Sequence, residues 1–388
     1  MKKAIALITT LALICTLAFT CGFAAGTPEE KMQFKADGTF KILMLNDWQD
    51  TDNYKQKTAD FIAAVLDAEQ PDLAIFAGDQ LSDIYPFASE ESFRGSLTAL
   101  CSLFEEREIP FLVTMGNHDH DREATLDEAG QYAIYNSFKY CINTENGPEN
   151  DPFTCYLPIY SSDGSKMVMN VYCVDTNNTD GVGSYTGVTK EQVEWYKAAG
   201  ASLKEANGGE AVPSLLFQHV PVKEIYQLLR VCDWNEDGAI YSRRDGNWYV
   251  VDTENGVKGK CGEAPCSEDF DVETGEYQAW LENGDIMGAF FAHDHVNTFE
   301  GTTKDGIRMG YNGGSGFRSY GNGGDRSVRV FNINENDVTN YETHLVTYNE
   351  IFNTNQGRTI TDWFSPELLT VLMKVVYALF GWAINLFK

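Results

Sequence analysis

The chain has 388 residues, with 57 acidic and 29 basic side chains and a formal net charge of -28 at pH 7. Apolar residues make up 43% of it, which is enough for a substantial core and excludes a wholly disordered acidic chain. A surface this negative repels phosphate backbones, so we expect no general nucleic-acid binding, and an anionic ligand must meet a local positive charge.

The N-terminus has the pattern of an export signal. Lys2 and Lys3 precede an uncharged, mostly apolar run from Ala4 to Ala25, with small residues near its end. This order predicts a secretory signal peptide over residues 1–25, and therefore an extracytoplasmic protein that is secreted or held in the cell envelope. The alternative is an uncleaved membrane anchor.

Seven cysteines follow the predicted signal peptide. In an exported protein some of them should form disulfides. The short loop between Cys261 and Cys266 is the easiest to close, and Cys141 with Cys155 is a second candidate pair. No Cys-x-x-Cys pair is present, so the sequence does not support a zinc ribbon or a thiol redox motif.

Between residues 34 and 346 the chain alternates buried strands with amphipathic helices. Apolar runs predict strands over 41–46, 72–77, 111–115, 167–174, 214–218 and 286–292. Helical periodicity covers 58–70, 91–107 and 189–207, and the last helix opens on Thr189 and Gln192 at the spacing of a capping box. This order predicts one layered α/β domain, in which the polar segment 233–275 is a loop insertion.

The last predicted element is an apolar C-terminal helix over 365–388. Ser365 and Pro366 are typical of a helix start, and the few polar or small residues after them, Lys374 among them, fall on one stripe. Such a helix can lie in a membrane interface, span a membrane or pack on its own domain. Membrane association and self-packing stand as equal alternatives here, and the sequence indicates no partner protein.

Metal-competent side chains follow five of the predicted strands. Open α/β sheets place their sites at the carboxyl ends of strands, so these side chains should meet at one edge. A single aspartate or histidine there is usually a cap or a hydrogen-bonded core group, whereas five strand ends in series indicate a metal centre. The residues are Asp47, Gln49, Asp79, Asn117, His118, Asp119, His219, His293 and His295.

In their order along the chain, these motifs resemble those of the calcineurin-like metallophosphoesterases, in the branch similar to purple acid phosphatases. The motifs are Asp47-Trp48-Gln49, Gly78-Asp79, Gly116-Asn117-His118-Asp119, a single His219, and His293-Asp294-His295. The resemblance implies a four-layer αββα sandwich and two divalent or trivalent metal ions, namely manganese, iron or zinc. It also implies hydrolysis of phosphate monoesters or diesters.

The resemblance also implies a role for each residue. The first ion would take Asp47, Gln49, Asp79 and His295, and the second would take Asp79, Asn117, His219 and His293. Two ions about 3.5–4 Å apart would hold the phosphate oxygens and lower the pKa of a water molecule to make a hydroxide nucleophile. His118 would stabilise or protonate the leaving oxygen, and Asp119 would orient His118.

Three positions depart from the family's pattern. Gln49 stands where the family usually has a histidine, and its neutral amide predicts a weaker or differently metallated first site. Ser82 stands in place of the tyrosine that colours purple enzymes, so we expect no such colour, and Ala292 replaces a glycine without expected effect. Gln49 also keeps a second hypothesis open, a non-catalytic member of the fold that binds a ligand or scaffolds a partner.

Overall fold

The structure is a computed structural model of the chain, and it describes residues 31–49, 55–82, 89–121, 125–177, 187–266, 274–363 and 365–384. The predicted signal peptide, residues 1–25, lies outside the described residues.

The described part of the chain contains 14 strands and seven α-helices. In chain order, the strands are β1 (Thr39–Leu45), β2 (Leu73–Ala77), β3 (Phe111–Thr114), β4 (Cys155–Tyr160), β5 (Met167–Val174), β6 (Ser214–Gln218), β7 (Leu229–Val231), β8 (Ile240–Tyr241), β9 (Trp248–Val251), β10 (Ile286–Phe291), β11 (Glu300–Thr302), β12 (Arg308–Tyr311), β13 (Ser327–Asn334) and β14 (Glu342–Thr347). The helices are α1 (Gln56–Glu69), α2 (Glu90–Glu105), α3 (Glu128–Tyr135), α4 (Lys190–Ala206), α5 (Glu276–Asn283), α6 (Tyr348–Ile351) and α7 (Ser365–Ile384).

Two mixed sheets form the centre of the fold. The first has the order β14-β13-β1-β2-β3, in which β1, β2 and β3 are parallel. The second has the order β11-β12-β10-β6-β5-β4, in which β12, β10, β6 and β5 are parallel. Because the strands within each parallel set run the same way, their carboxyl ends meet at one edge of each sheet.

Helices cover both sheets and complete the predicted four-layer αββα sandwich, which the structure confirms. The core around the first sheet takes in Phe61 and Val65 of α1 and Leu97 of α2. The core around the second takes in Tyr196 of α4 and Trp280 of α5. The six predicted strands and three predicted helices of the domain all form, with each end within two residues of its prediction.

The segment predicted as a loop insertion has structure of its own. It contributes β8 and β9, which pair with β7 in a three-stranded antiparallel sheet. The apolar C-terminal helix α7 packs on this sheet, where the Tyr377 ring meets Trp248 with the ring centroids 5.6 Å apart. Within the described ranges, no helix combines the length and hydropathy that a membrane crossing requires.

The predicted disulfides do not form. All seven cysteines after residue 100 have free thiols, including Cys261, Cys266 and Cys141. Cys155 lies directly opposite Cys173 on the neighbouring strand β5. The prediction paired cysteines that are close along the chain. In the structure, the register of β4 on β5 decides which cysteines lie next to each other, and the distance along the chain does not reveal this register.

A buried ion pair joins the loop after β3 to the end of β5. His120 Nε2 lies 3.2 Å from Asp175 Oδ2, and the two side chains are 7% and 4% exposed. Burial opposes a charge on His120, but the contact with Asp175 outweighs it and raises the pKa of His120 from 6.5 to about 9. His120 is therefore a buried cation at neutral pH and not the surface residue that a lone histidine usually is.

We expect this pair to make stability pH-dependent. A histidine with a raised pKa in the folded state stabilises below its unfolded pKa, and that contribution is lost as the pH rises through about 9. Between pH 7 and pH 10 the free energy of unfolding of the wild type should fall by about 2–3 kcal/mol more than that of His120→Gln. Urea unfolding at both pH values measures this, with His344→Gln at an exposed position of β14 as the control. Equal pH slopes for all three proteins would contradict it.

Candidate metal centre

The two sheets deliver the predicted ligands to one place. Asp47 and Gln49 follow β1, Asp79 follows β2 and Asn117 follows β3, all on the first sheet. The second sheet contributes His219 after β6, and His293 and His295 after β10. Each of these residues is buried apart from His293, which is half-buried. The centre therefore lies between the carboxyl edges of the two sheets.

The backbone is strained at this edge. Asp47, Gln49, Asp79 and His293 have φ angles of 53°, 47°, 56° and 72°, in the left-handed region that non-glycine residues avoid. Each such residue costs about 1 kcal/mol or more. Strain concentrated in four predicted ligands indicates that the fold maintains their side-chain directions against a local preference.

Two glycines allow the loops to approach each other. A Cβ atom on Gly78 would lie 2.5 Å from His219 Nδ1, and one on Gly116 would lie 2.3 Å from Asp79 Oδ1. Both distances are far below van der Waals contact. Any side chain at Gly78 or Gly116 would therefore displace the ligands themselves.

The first cluster consists of Asp47, Asp79 and His295, whose ligand atoms lie within 4.8 Å of one another. His295 Nδ1 lies 3.0 Å from the carbonyl oxygen of Tyr320, which only accepts hydrogen bonds, so this nitrogen carries the ring proton. His295 Nε2 then presents a lone pair 2.9 Å from Asp47 Oδ1. Two lone pairs facing each other at this distance call for a cation between them.

The second cluster consists of Asp79, His219 and His293. His219 Nδ1 lies 2.9 Å from the Ala77 carbonyl oxygen, which assigns the proton to this nitrogen. Its Nε2 then faces Asp79 Oδ2 at 3.2 Å and His293 Nδ1 at 3.3 Å. Asp79 belongs to both clusters, which is the arrangement expected of a carboxylate that bridges two ions.

Three buried oxygens at the site have no hydrogen-bond partner: Asp47 Oδ1, Gln49 Oε1 and Asn117 Oδ1. A buried polar atom left unpaired costs about 1–3 kcal/mol, so three together are unfavourable unless something else binds them. Gln49 Nε2 donates to Asp79 Oδ2 at 3.0 Å, which leaves its Oε1 as the atom that can meet a cation. The oxygen and nitrogen donor set fits two metal ions, and the substituted Gln49 fits as an oxygen ligand.

The charges at the site support this assignment. Burial opposes ionisation of Asp79, but His219 and His118 outweigh it and keep the pKa of this carboxyl below its usual range. Burial lowers the pKa of His293 to about 3, with a further contribution from His219, so this imidazole is neutral. Against the effect of burial, Asp79 raises the pKa of His219 to about 9, so a proton occupies this contact unless a metal ion takes its place.

His118 lies at the opening of the centre, with 31% of its side chain exposed. Its backbone N–H donates to Asp79 Oδ1 at 2.9 Å, which fixes the residue against the shared carboxylate. The ring nitrogen Nδ1 contacts the carboxylate of Asp121. A histidine that is partly exposed beside buried ligands is placed to meet a substrate.

The expected partnership between His118 and Asp119 differs from what the structure contains. Asp119 accepts hydrogen bonds from the backbone N–H groups of Asp79, Leu81 and Gly116, at 2.7, 2.8 and 2.9 Å. It therefore fastens the loops after β2 and β3 to each other, and Asp121 holds the His118 ring. The signal for Asp121 was present in the sequence, as a carboxylate three residues after His118.

Tyr320 is a site residue that the motifs did not single out as a partner of the ligands. Its ring stacks on the His295 ring with centroids 4.1 Å apart, and its carbonyl accepts the His295 Nδ1 proton. Its hydroxyl donates to Glu263 Oε1 at 2.8 Å. Because Tyr320 lies in a glycine-rich loop 25 residues after His295, spacing alone could not identify the contact.

Several known proteins are similar to this chain. "Probable inactive purple acid phosphatase 29" of Arabidopsis thaliana is 25% identical, over 80% of this chain and 81% of that protein. "Phosphatase DCR2" of Saccharomyces cerevisiae is 24% identical, over 88% of this chain and 59% of that protein. A crystal structure of a dimetal phosphatase from Danio rerio aligns with a TM-score of 0.47 and 10% identity, over 80% of this chain and 99% of that one.

The family pattern is more decisive than any single relative. The sequence pattern of the calcineurin-like phosphoesterases matches residues 40–297, which is well over half of the chain. The matched range runs from β1 to just past His295, so it contains both clusters of metal-competent side chains. The chain belongs to the calcineurin-like phosphoesterase family.

Proposed function

We propose that the protein is a metal-dependent phosphoesterase that hydrolyses phosphate monoesters or diesters. The observation that carries the proposal is the set of orphaned buried oxygens on Asp47, Gln49 and Asn117, together with the His295 Nε2 lone pair that faces Asp47. A fold that had lost its metals would not be expected to retain three unpaired buried oxygens among its candidate ligands, because each destabilises it.

Two bound cations of manganese, iron or zinc would neutralise the phosphate oxygens and lower the pKa of an attacking water molecule. The chain's own residues do the rest. Asp79 fixes both halves of the centre, since it contacts His219, Gln49 and the backbone of His118. Because Asp121 engages His118 Nδ1, we assign proton donation to the leaving oxygen to His118 Nε2.

A second candidate function is binding of a phosphate ligand without turnover. Gln49 favours it, since a neutral amide replaces an imidazole at the first ion. The names of the Arabidopsis relatives, which describe probably inactive phosphatases, point the same way. The two functions differ in whether bound metal supports turnover.

The deciding experiment measures bound metal and the hydrolysis of an aryl phosphate monoester and diester by the full chain. We expect up to two ions per chain and hydrolysis well above that of Asp79→Asn. Bound metal and phosphate without hydrolysis would favour the second candidate. Absence of both metal and hydrolysis would overturn the enzyme hypothesis.

Restoring histidine at position 49 tests the weak-site hypothesis. Gln49→His should raise the Zn²⁺ affinity of one of the two sites by about tenfold, the lower end of what changes near a metal ligand produce. Isothermal titration with Zn²⁺ measures the two affinities. The matched control is Gln56→His at an exposed position of α1, where Gln56 bonds only to a carboxylate on its own helix among the described contacts. An unchanged affinity in Gln49→His would show that the amide oxygen is a sufficient ligand.

We also propose that the protein is exported. The support is the order of charges and apolar residues in residues 1–25. N-terminal sequencing of protein purified from an expressing host should find a start near residue 25. Recovery of the intact N-terminus would contradict cleavage and favour the uncleaved anchor.

A further inference from the structure

Among the side chains of residues 371–380, which the structure describes, helix α7 meets the domain through one side. Tyr377 packs its ring against Trp248 and Trp234 of the insertion, with centroids 5.6 and 6.3 Å apart. Lys374, one turn earlier, is half-buried on the same side. The lysine that interrupts the apolar sequence is therefore at the flank of the helix, and the opposite face carries no charge.

That opposite face is apolar and open to solvent. Its side chains are exposed by 51–61%, a level unusual for several neighbouring large apolar residues. They are Val371, Leu372, Val375, Leu379 and Phe380. Steps of one, three and four residues place most of them on one side of the helix. An exposed apolar surface of this kind indicates a site that binds another molecule or a membrane.

The charges on α7 indicate what binds to this apolar face. From Leu368 to Ile384 the helix has one charged residue, Lys374, and no carboxylate, in a chain with a net charge of -28. The net charge of the chain opposes its approach to an anionic phospholipid surface, and this stretch of the helix adds no negative charge. An apolar face with a flanking lysine is the pattern of helices that lie in a bilayer interface, where the lysine reaches toward the headgroups.

The start of α7 is tied to one wall of the metal centre. The carbonyl oxygen of Asp362, three residues before α7, accepts the Gly321 N–H at 3.2 Å, and its carboxylate pairs with Arg326 at 2.9 Å. Arg326 in turn donates to the carbonyl of Tyr320 at 3.0 Å. Since Tyr320 stacks on His295, the chain that enters α7 is three contacts from a metal ligand.

The insertion sheet under Tyr377 forms a second connection to the centre. Cys266, in the same insertion, donates its backbone N–H to Asp294 at 3.2 Å, and its thiol lies within 4.8 Å of a nitrogen of His293. The sheet on which α7 packs is therefore linked through Cys266 to the loop that carries His293 and Asp294.

We propose that α7 binds the surface of a phospholipid bilayer and holds the metal centre against it, so that lipid headgroup phosphates are the substrate class. The part of this proposal that concerns hydrolysis rests on the proposed function. Water attacks phosphorus, the bond between phosphorus and the lipid oxygen breaks, and that oxygen takes a proton. A monoester then yields a lipid alcohol and inorganic phosphate.

The binding half is tested by flotation of the full chain with phosphatidylcholine vesicles that contain phosphatidic acid. The wild type should float with the vesicles, and Leu372→Asp/Leu379→Asp should lower the bound fraction at least about tenfold, since two apolar anchors become charged. Leu281→Asp, the same type of substitution at one exposed leucine of α5, should float as the wild type does. A wild type that stays in the aqueous fraction overturns the proposal.

The substrate half compares phosphate release from those vesicles with hydrolysis of a soluble aryl phosphate. The rate of phosphate release from vesicles should be about tenfold lower for the double variant than for the wild type. Its rate on the soluble ester should stay within about twofold of the wild-type rate, which also shows that the variant is folded. Equal losses on both, or no release from vesicles by the bound wild type, overturn the substrate class. Sedimentation of a dimer that the double variant dissociates would instead assign the face to a second copy. A wild type that floats with the vesicles but does not hydrolyse the soluble ester would contradict the proposed function and leave the membrane binding intact, because flotation requires no catalysis.

Discussion

Replacing Asp79 by asparagine should lower phosphate-ester hydrolysis by about a thousandfold or more, because this carboxylate is shared by both metal clusters. Its Oδ2 faces His219 and Gln49, and its Oδ1 holds the His118 backbone. An amide offers one neutral oxygen in place of two charged ones. We therefore expect the variant to bind at most one ion per chain where the wild type binds two.

The control for this substitution removes the same charge elsewhere. Asp60 lies exposed on α1, where it accepts a hydrogen bond from Gln56 of the same helix. Asp60→Asn should retain both the metal content and the rate of the wild type. Metal analysis and aryl phosphate hydrolysis under identical loading measure the comparison. If Asp79→Asn kept two ions and more than a tenth of the rate, a bridging role for Asp79 would be ruled out.

The clustering of the candidate ligands could be predicted because it depends on topology more than on side-chain detail. Strands buried on both faces are continuous apolar runs, so β1, β2 and β3 and the polar residues that follow them are visible in the sequence. Parallel strands bring their carboxyl ends together whatever the loops between them do. Asp79 therefore meets Asp47 in one cluster and His219 in the other, as the order of the motifs implies.

What the sequence did not predict depends on directions that spacing does not encode. In the turn Asn117–Asp119 the backbone curls so that Asp119 points at three N–H groups and Asp121, two residues on, reaches the His118 ring. The position of Cys155 opposite Cys173 depends on the register of β4 on β5. The two-residue strand β8 is too short to leave a periodic pattern.

His118→Ala should lower hydrolysis by about a hundredfold to a thousandfold for esters with poor leaving groups, because proton donation contributes about that much. His118 is partly exposed at the opening of the centre and is not one of the clustered ligands, so the variant should keep its two metal ions. The loss should shrink for aryl esters whose leaving oxygen needs no proton. A series of esters graded by the pKa of the leaving alcohol measures this.

Asp121→Asn separates positioning from proton donation. The variant keeps His118 and loses only the charge of the carboxylate that contacts His118 Nδ1, so its rate should fall by about tenfold, less than for His118→Ala. The remaining loss should follow the same leaving-group dependence, because the same imidazole still donates. If the rate of His118→Ala fell by the same factor for all leaving groups, His118 would act by holding Asp79 in place and would transfer no proton. Restoring an imidazole by adding free imidazole to His118→Ala should then fail to recover the rate, whereas recovery on the poor leaving groups alone would confirm proton donation.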